Sequence, residues 1–112
     1  MSREALLVPP EAQLPRTFNR IMTSHPDFAA AVEQLGITVS DAGPLDDKTA
    51  QLIQLAAAAG IRSEGAVHSH MRRARQAGAS MEELQHAIIL LTSTIGLPAV
   101  MAALSWMEEH SE

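Results

Sequence analysis

Apolar residues recur along the chain at the three- and four-residue spacing of amphipathic helices. Between Pro26 and Gly36, for example, Phe28, Val32 and Leu35 follow this spacing, which predicts a helix that ends at the glycine. No stretch alternates apolar and polar residues with a period of two between turn residues. The pattern therefore predicts an all-α fold.

Prolines and turn residues divide the N-terminal part of the chain. Pro9, Pro10 and Pro15 disfavour a regular helix over residues 1–14, which we expect to be a loose arm. A short helix from Pro15 to about Ser24 would open the folded domain, residues 15–112. Residues 37–45 carry glycine, proline and aspartate and predict a linker.

Three further helices each begin at a capping residue, and a fourth begins at a proline. Asp46 and Ser63 can accept hydrogen bonds from the first turns of their helices, and Ser80 with Glu83 forms a capping box. The predicted helices run from Asp46 to Gly60, from Ser63 to Gly78, from Ser80 to about Gly96, and from Pro98 past Met107. The chain thus contains about six helices.

The composition of the chain argues against several classes of function. The 112 residues suit one domain, and the net charge of −5 argues against non-specific nucleic-acid binding. The chain has no cysteine, which excludes thiol chemistry and thiolate metal sites. No apolar run approaches the roughly 20 residues of a membrane helix, and the N-terminal apolar stretch is too short for a signal peptide. We therefore expect a cytoplasmic protein that does not bind membranes.

The apolar content exceeds what a domain of this size can bury by itself. Hydrophobic residues make up 46% of the chain, and the two last predicted helices are apolar on more than one face. One of them could be a fully buried central helix. For the other, a second copy of the chain is the simplest cover, so we expect a homo-oligomer.

The helix predicted after Ser63 carries two histidines on different faces. At about 100° per residue, His70 lies among apolar residues, whereas His68 shares a polar face with Glu64 and Arg72. The two rings are about 200° apart, so they cannot chelate one metal ion from a regular helix. We therefore expect no metal and no cofactor.

Each of these residues allows a chemical and a structural interpretation. His70 could be a general acid or base, or a core histidine bonded to a carbonyl. His68 could be oriented by Glu64 one turn earlier, or the two could form a solvated pair. The basic cluster at Arg62 and residues 72–75 could attract a small carboxylate, or only pair with the helix end.

Four segments together resemble the carboxymuconolactone decarboxylase family, which includes alkylhydroperoxidase D. They are residues 45–49 (LDDKT) with 52–56 (LIQLA), His70 followed by residues 78–84 (GASMEEL), and residues 95–99 (IGLPA). The resemblance covers roughly residues 15–110 and lies in the order and spacing of the segments. It implies an alkylhydroperoxidase D-like antiparallel helical core that assembles as trimers or hexamers. It also implies that His70 faces a pocket between helices, near a subunit interface.

The chain departs from both chemical branches that the resemblance suggests. The peroxidase branch uses a Glu, two cysteines and a His, and the matching positions here are Gln51, Ser63, Ala66 and His70. Without a thiol, that peroxidase cycle is excluded. The decarboxylase branch resembles this chain at Glu64 and His70, but Gly65, Ala66 and the additional His68 differ, so the family's substrate does not carry over.

The resulting hypothesis is an enzyme that transfers a proton on a small organic acid or lactone. His70 would be the acid/base, assisted by His68 and Glu64. Gln51 and Ser63 would donate or accept neutral hydrogen bonds, and Arg72 would hold a carboxylate. The alternative is a catalytically inactive oligomer that binds a small ligand. A third, weaker possibility is a metal-dependent enzyme that completes its ligand set from a neighbouring subunit.

Overall fold

A computed structural model of the chain describes the backbone of residues 10–109 and the side chains of residues 16–109. All regular structure in this part of the chain is helical, which confirms the all-α prediction. None of these helices is both long enough and apolar enough to cross a membrane. The helices are α1 (Pro10–Ser24), α2 (Pro26–Ser40), α3 (Asp47–Gly60), α4 (Glu64–Gln76), α5 (Met81–Ile89), α6 (Thr92–Ile95) and α7 (Leu97–Glu109).

The chain forms two compact units that divide between Pro44 and Leu45. In the first unit, α1 begins at Pro10, so the prediction that prolines prevent a helix before Pro15 was wrong for residues 10–14. Pro10 occupies the first helical position, where the missing N–H has no helical partner to lose. Pro15 removes one helical hydrogen bond and crowds the carbonyl four residues earlier, but the helix continues through it. Residues 1–9 of the predicted arm lie outside the described residues, and the domain boundary at residue 15 stays a prediction.

Helix α2 passes through the glycine at which it was predicted to end. Gly36 keeps a right-handed backbone, and the helix continues to Ser40, so the predicted linker starts later than residue 37. A glycine inside a helix costs about 1 kcal/mol relative to alanine, which favourable neighbours can offset. None of the side chains described between Arg16 and Pro44 is buried.

The second unit opens with a helical hairpin made of α3 and α4. The Asp46 carboxylate accepts the Thr49 N–H at 2.8 Å, and Ser63 Oγ accepts the Ala66 N–H at 3.4 Å, so both predicted N-caps are confirmed. Between the helices, Arg62 has a left-handed backbone with φ 57°, and the Ser63 N–H reaches back to the Ala58 carbonyl. The Arg62 N–H also bonds to the Ala59 carbonyl, at 3.1 Å. These two bonds close the end of α3 in a Schellman motif, in which arginine occupies the position where glycine is usual.

Helix α5 begins as predicted and ends early. The Ser80–Glu83 capping box is present, with bonds of 2.9 and 3.0 Å. The predicted single helix to Gly96 is instead two helices, α5 and the one-turn α6. At the break, the Thr92 hydroxyl donates to the Ile89 carbonyl at 2.7 Å, and the Leu91 N–H bonds only three residues back, to Ile88. This tightening ends α5.

The core of the second unit lies between α3, α4, α5 and α7. Its largest fully buried side chains are Leu55, Val67, Leu84, Ile88, Val100 and Met107. Small residues let the helices approach closely, and five alanines are buried in this core: Ala58, Ala59, Ala74, Ala79 and Ala103. This packing fixes α3 and α4 against each other, and the candidate site lies on these two helices.

Candidate functional site

The α3–α4 hairpin brings together two of the residues that the sequence singled out. Gln51 lies in the second turn of α3, and His70 lies in the middle of α4, 19 residues later. His70 Nδ1 and Gln51 Oε1 are 2.9 Å apart, which is hydrogen-bond distance. Both side chains are half-buried. This pair is the centre of the candidate site.

The partner of His70 determines which ring nitrogen is free to react. An amide carbonyl oxygen can only accept, so with Gln51 Oε1 as its partner, Nδ1 of His70 carries the hydrogen and donates it. In the neutral ring, the lone pair then lies on Nε2. Nε2 is therefore the atom that can accept a proton from a bound molecule.

Two features lower the pKa of His70 from its usual value of 6.5. Partial burial removes water that would solvate the imidazolium, and the positive charge of Arg73 disfavours it further. Gln51 has no charge that would stabilise the imidazolium. Both effects favour a neutral imidazole at neutral pH.

The arginine that acts on His70 differs from the one that the sequence analysis selected. Arg73 follows His70 by three residues, which places it about 60° away around the helix, whereas Arg72 is about 160° away. Both side chains are exposed. The i, i+3 spacing was visible in the sequence and would have identified Arg73. The structure leaves the proposed carboxylate-binding role of Arg72 as a prediction.

His68 is buried, which contradicts its assignment to a solvated polar face. Its side chain is 7% exposed, and it shares the buried side of α4 with Val67, Met71 and Ala74. The buried side of α4 extends beyond its apolar residues to include His68, because α3, α5 and α7 all pack against α4. A solvated Glu64–His68 pair is therefore wrong for this structure.

Ser63 and Glu64 lie at the N-terminus of α4, and both are half-buried. Ser63 Oγ accepts the Ala66 N–H, so its oxygen contributes to the cap. The hydroxyl hydrogen of a capping serine stays available to donate to another group. Glu64 lies in the first turn, where its negative charge suits the positive end of the helix.

Two concave surfaces occur elsewhere on the second unit. A groove of about 280 Å³ between α5 and α7 is lined by Met81, Met101 and Met107, among other residues. A groove of about 370 Å³ between α3 and α5 has an apolar floor that includes Leu52 and Leu90. Neither groove is lined by His70 or Gln51. Within the described residues, no group of three or more histidines and carboxylates could hold a metal ion.

Comparison with known proteins identifies the family. A search of curated proteins and a search of solved structures gave no significant match. The sequence profile of the carboxymuconolactone decarboxylase family, in contrast, matches residues 26–109. This range includes α2 to α7 and both residues of the Gln51–His70 pair. The chain therefore belongs to the carboxymuconolactone decarboxylase family.

Proposed function

We propose that this protein catalyses proton transfer on a small organic acid or lactone, with His70 as the acid/base. The observation that carries the proposal is the 2.9 Å bond between Gln51 Oε1 and His70 Nδ1. This bond fixes the ring orientation and leaves Nε2 as a proton acceptor. Fixing the tautomer of a histidine through its second nitrogen is a common way to prepare a catalytic base.

The lowered pKa of His70 determines the direction of the first step. A neutral imidazole removes a proton from the substrate, for example from a carbon next to a carbonyl group. The C–H electron pair then moves into the carbonyl as an enolate, and the imidazolium returns the proton to another carbon of the same molecule. Burial and Arg73 make the imidazolium a stronger acid, which favours this return.

The other predicted residues have supporting roles in the proposal. Ser63 would donate its hydroxyl hydrogen to a substrate oxygen. Arg72 lies about 160° around α4 from His70, so its charge would attract a carboxylate from solution rather than hold it beside His70. His68 is buried beside the core, so we assign it and Glu64 a positioning role on α4 rather than contact with substrate. We further propose that the protein works as a homotrimer or homohexamer, in which a neighbouring copy encloses the half-buried His70.

A second candidate function is binding of a small ligand without turnover. The observation that favours it is the loss of reactive groups at positions 51, 63 and 66, where the peroxidase branch has a carboxylate and two thiols. The hydrogen-bonding groups that remain at the site can still hold a small carboxylate.

The two functions differ in whether a carbon-bound hydrogen exchanges with solvent. We would incubate the full chain with carboxymuconolactone, and separately with a simple unsaturated lactone carboxylate, in D₂O and follow both by proton NMR. Proton transfer predicts deuterium incorporation or a new product. Replacing the base, in His70→Gln, should slow this reaction about 100-fold or more.

His86→Gln is the matched control, because His86 is exposed on α5 and has no place in the proposed site. It should react as the wild type does. Equal rates in His70→Gln and the wild type would contradict the role of His70. Saturable binding of either compound without deuterium incorporation would support the ligand-binding function instead.

A further inference from the structure

Helix α2 carries an apolar stripe with the spacing of a coiled coil. Phe28, Val32, Leu35 and Val39 follow one another at intervals of four, three and four residues. This is the d–a–d–a order of two heptads, with β-branched valine at both a positions and Phe or Leu at the d positions. We call these four residues the α2 seam.

The α2 seam is exposed along its whole length. Its four side chains are between 39% and 63% exposed, and α2 has no buried residue. An exposed apolar stripe of this kind marks an interaction surface when it is contiguous. A helix of 15 residues is also marginal in water on its own, so it gains most of its stability from packing.

The residues beside the α2 seam indicate what covers it. The flanking e and g positions hold Ala29, Ala31, Gly36 and Thr38, which are small and uncharged. The two acidic residues of the helix, Asp27 and Glu33, lie at c and b positions, away from the seam. Two identical seams can therefore approach closely without like-charge repulsion, and no flanking charge selects a different partner.

We infer that α2 pairs in parallel with α2 of a second copy of this chain through the α2 seam. Valine at a with leucine at d favours two parallel strands. Two heptads are fewer than the three or four that a self-standing coiled coil usually has, so the contact is short. The pairing should therefore depend on protein concentration. The inference is independent of the chemistry proposed for His70. Because it joins copies in pairs, it fits the hexamer of the two proposed assemblies and not the trimer.

The first test compares two glutamate substitutions on the same helix. Leu35→Glu places a charge in the α2 seam, whereas Ile37→Glu places one at an f position on the opposite side. Ile37 is also exposed, at 48%, and glutamate forms helices about as well as leucine, so circular dichroism should show both variants helical. In sedimentation velocity, Leu35→Glu should weaken association about tenfold or more, and Ile37→Glu should match the wild type.

The second test uses the absence of cysteine. A single Val32→Cys gives a chain whose only possible disulfide joins two copies. In a parallel seam the two Val32 positions face each other, so mild oxidation should give a covalent dimer on a non-reducing gel. Ile37→Cys is the matched control and should give much less.

Three results would overturn the inference. A wild type that stays monomeric at every concentration tested would exclude self-association. Equal effects of Leu35→Glu and Ile37→Glu would show that the α2 seam is not part of the interface. A Val32→Cys chain that crosslinks no better than Ile37→Cys would exclude the parallel pairing.

Discussion

In helices α2 and α4, the burial of side chains does not follow from how apolar each helix is. Eight of the 15 residues of α2 are Ala, Val, Leu, Ile or Phe, yet none is buried. Helix α4 has only four apolar residues among 13 and three arginines, yet four of its side chains are buried, including His68. The more apolar helix is exposed, and the more polar helix lies in the core.

The difference lies in the neighbours of each helix. Helix α4 packs against α3, α5 and α7, so even a histidine on that side is buried. In the described part of its own unit, α2 packs against α1, and two helices cannot enclose a core. An amphipathic pattern thus shows which side of a helix is apolar, but the surrounding helices determine which side chains are buried.

The largest expected effect is on unfolding free energy, when valine is replaced by alanine in each of the two helices. Val67 is fully buried in α4, whereas Val32 is 39% exposed in α2. Val67→Ala should cost about 2 kcal/mol of unfolding free energy, because two buried methyl groups are lost and a cavity remains. Val32→Ala should change it by less than about 0.5 kcal/mol, since alanine also favours helix. Urea denaturation measures both.

Both valine variants should be made in the Leu35→Glu background, in which association through the α2 seam is already weakened. The unfolding free energy then contains little contribution from association through the α2 seam. A cost for Val32→Ala as large as that for Val67→Ala would show that α2 is packed within the chain, and the comparison would fail.

A smaller effect is expected at the starts of the two helices. Ser63 caps α4 through a side-chain bond, whereas His25 at the start of α2 makes no side-chain cap. Ser63→Ala should therefore cost about 0.5–1 kcal/mol, the lower part of the usual range for a cap, because the bond is long at 3.4 Å. His25→Ala should leave thermal and urea stability unchanged. If His25→Ala proved the more costly, the assignment of caps would be wrong.

Much of the fold was predictable because helix boundaries depend on local chemistry. Asp46, Ser63 and Ser80 cap the helices that the sequence assigned to them. Glycine and proline were less informative. Gly36 does not end α2, since a glycine inside a helix costs little, and the end of α5 depends on a hydrogen bond of Thr92 that no spacing rule predicts.

The candidate site was predictable only in part. Gln51 was named because of its match to a family position, and its bond to His70 required the hairpin geometry. The burial of His68 depends on three neighbouring helices and could not be predicted from α4 alone. Arg73, in contrast, was accessible from its spacing to His70.

The central claim is that His70 is neutral at neutral pH, with its hydrogen on Nδ1. Nitrogen-15 NMR of the histidine rings across a pH titration, assigned with His70→Gln, measures both properties. We expect the Nδ1–H tautomer and a pKa below 6.5, and Arg73→Gln should raise this pKa because it removes a nearby positive charge. An Nε2–H tautomer, or a pKa at or above 6.5 in the wild type, would contradict the account.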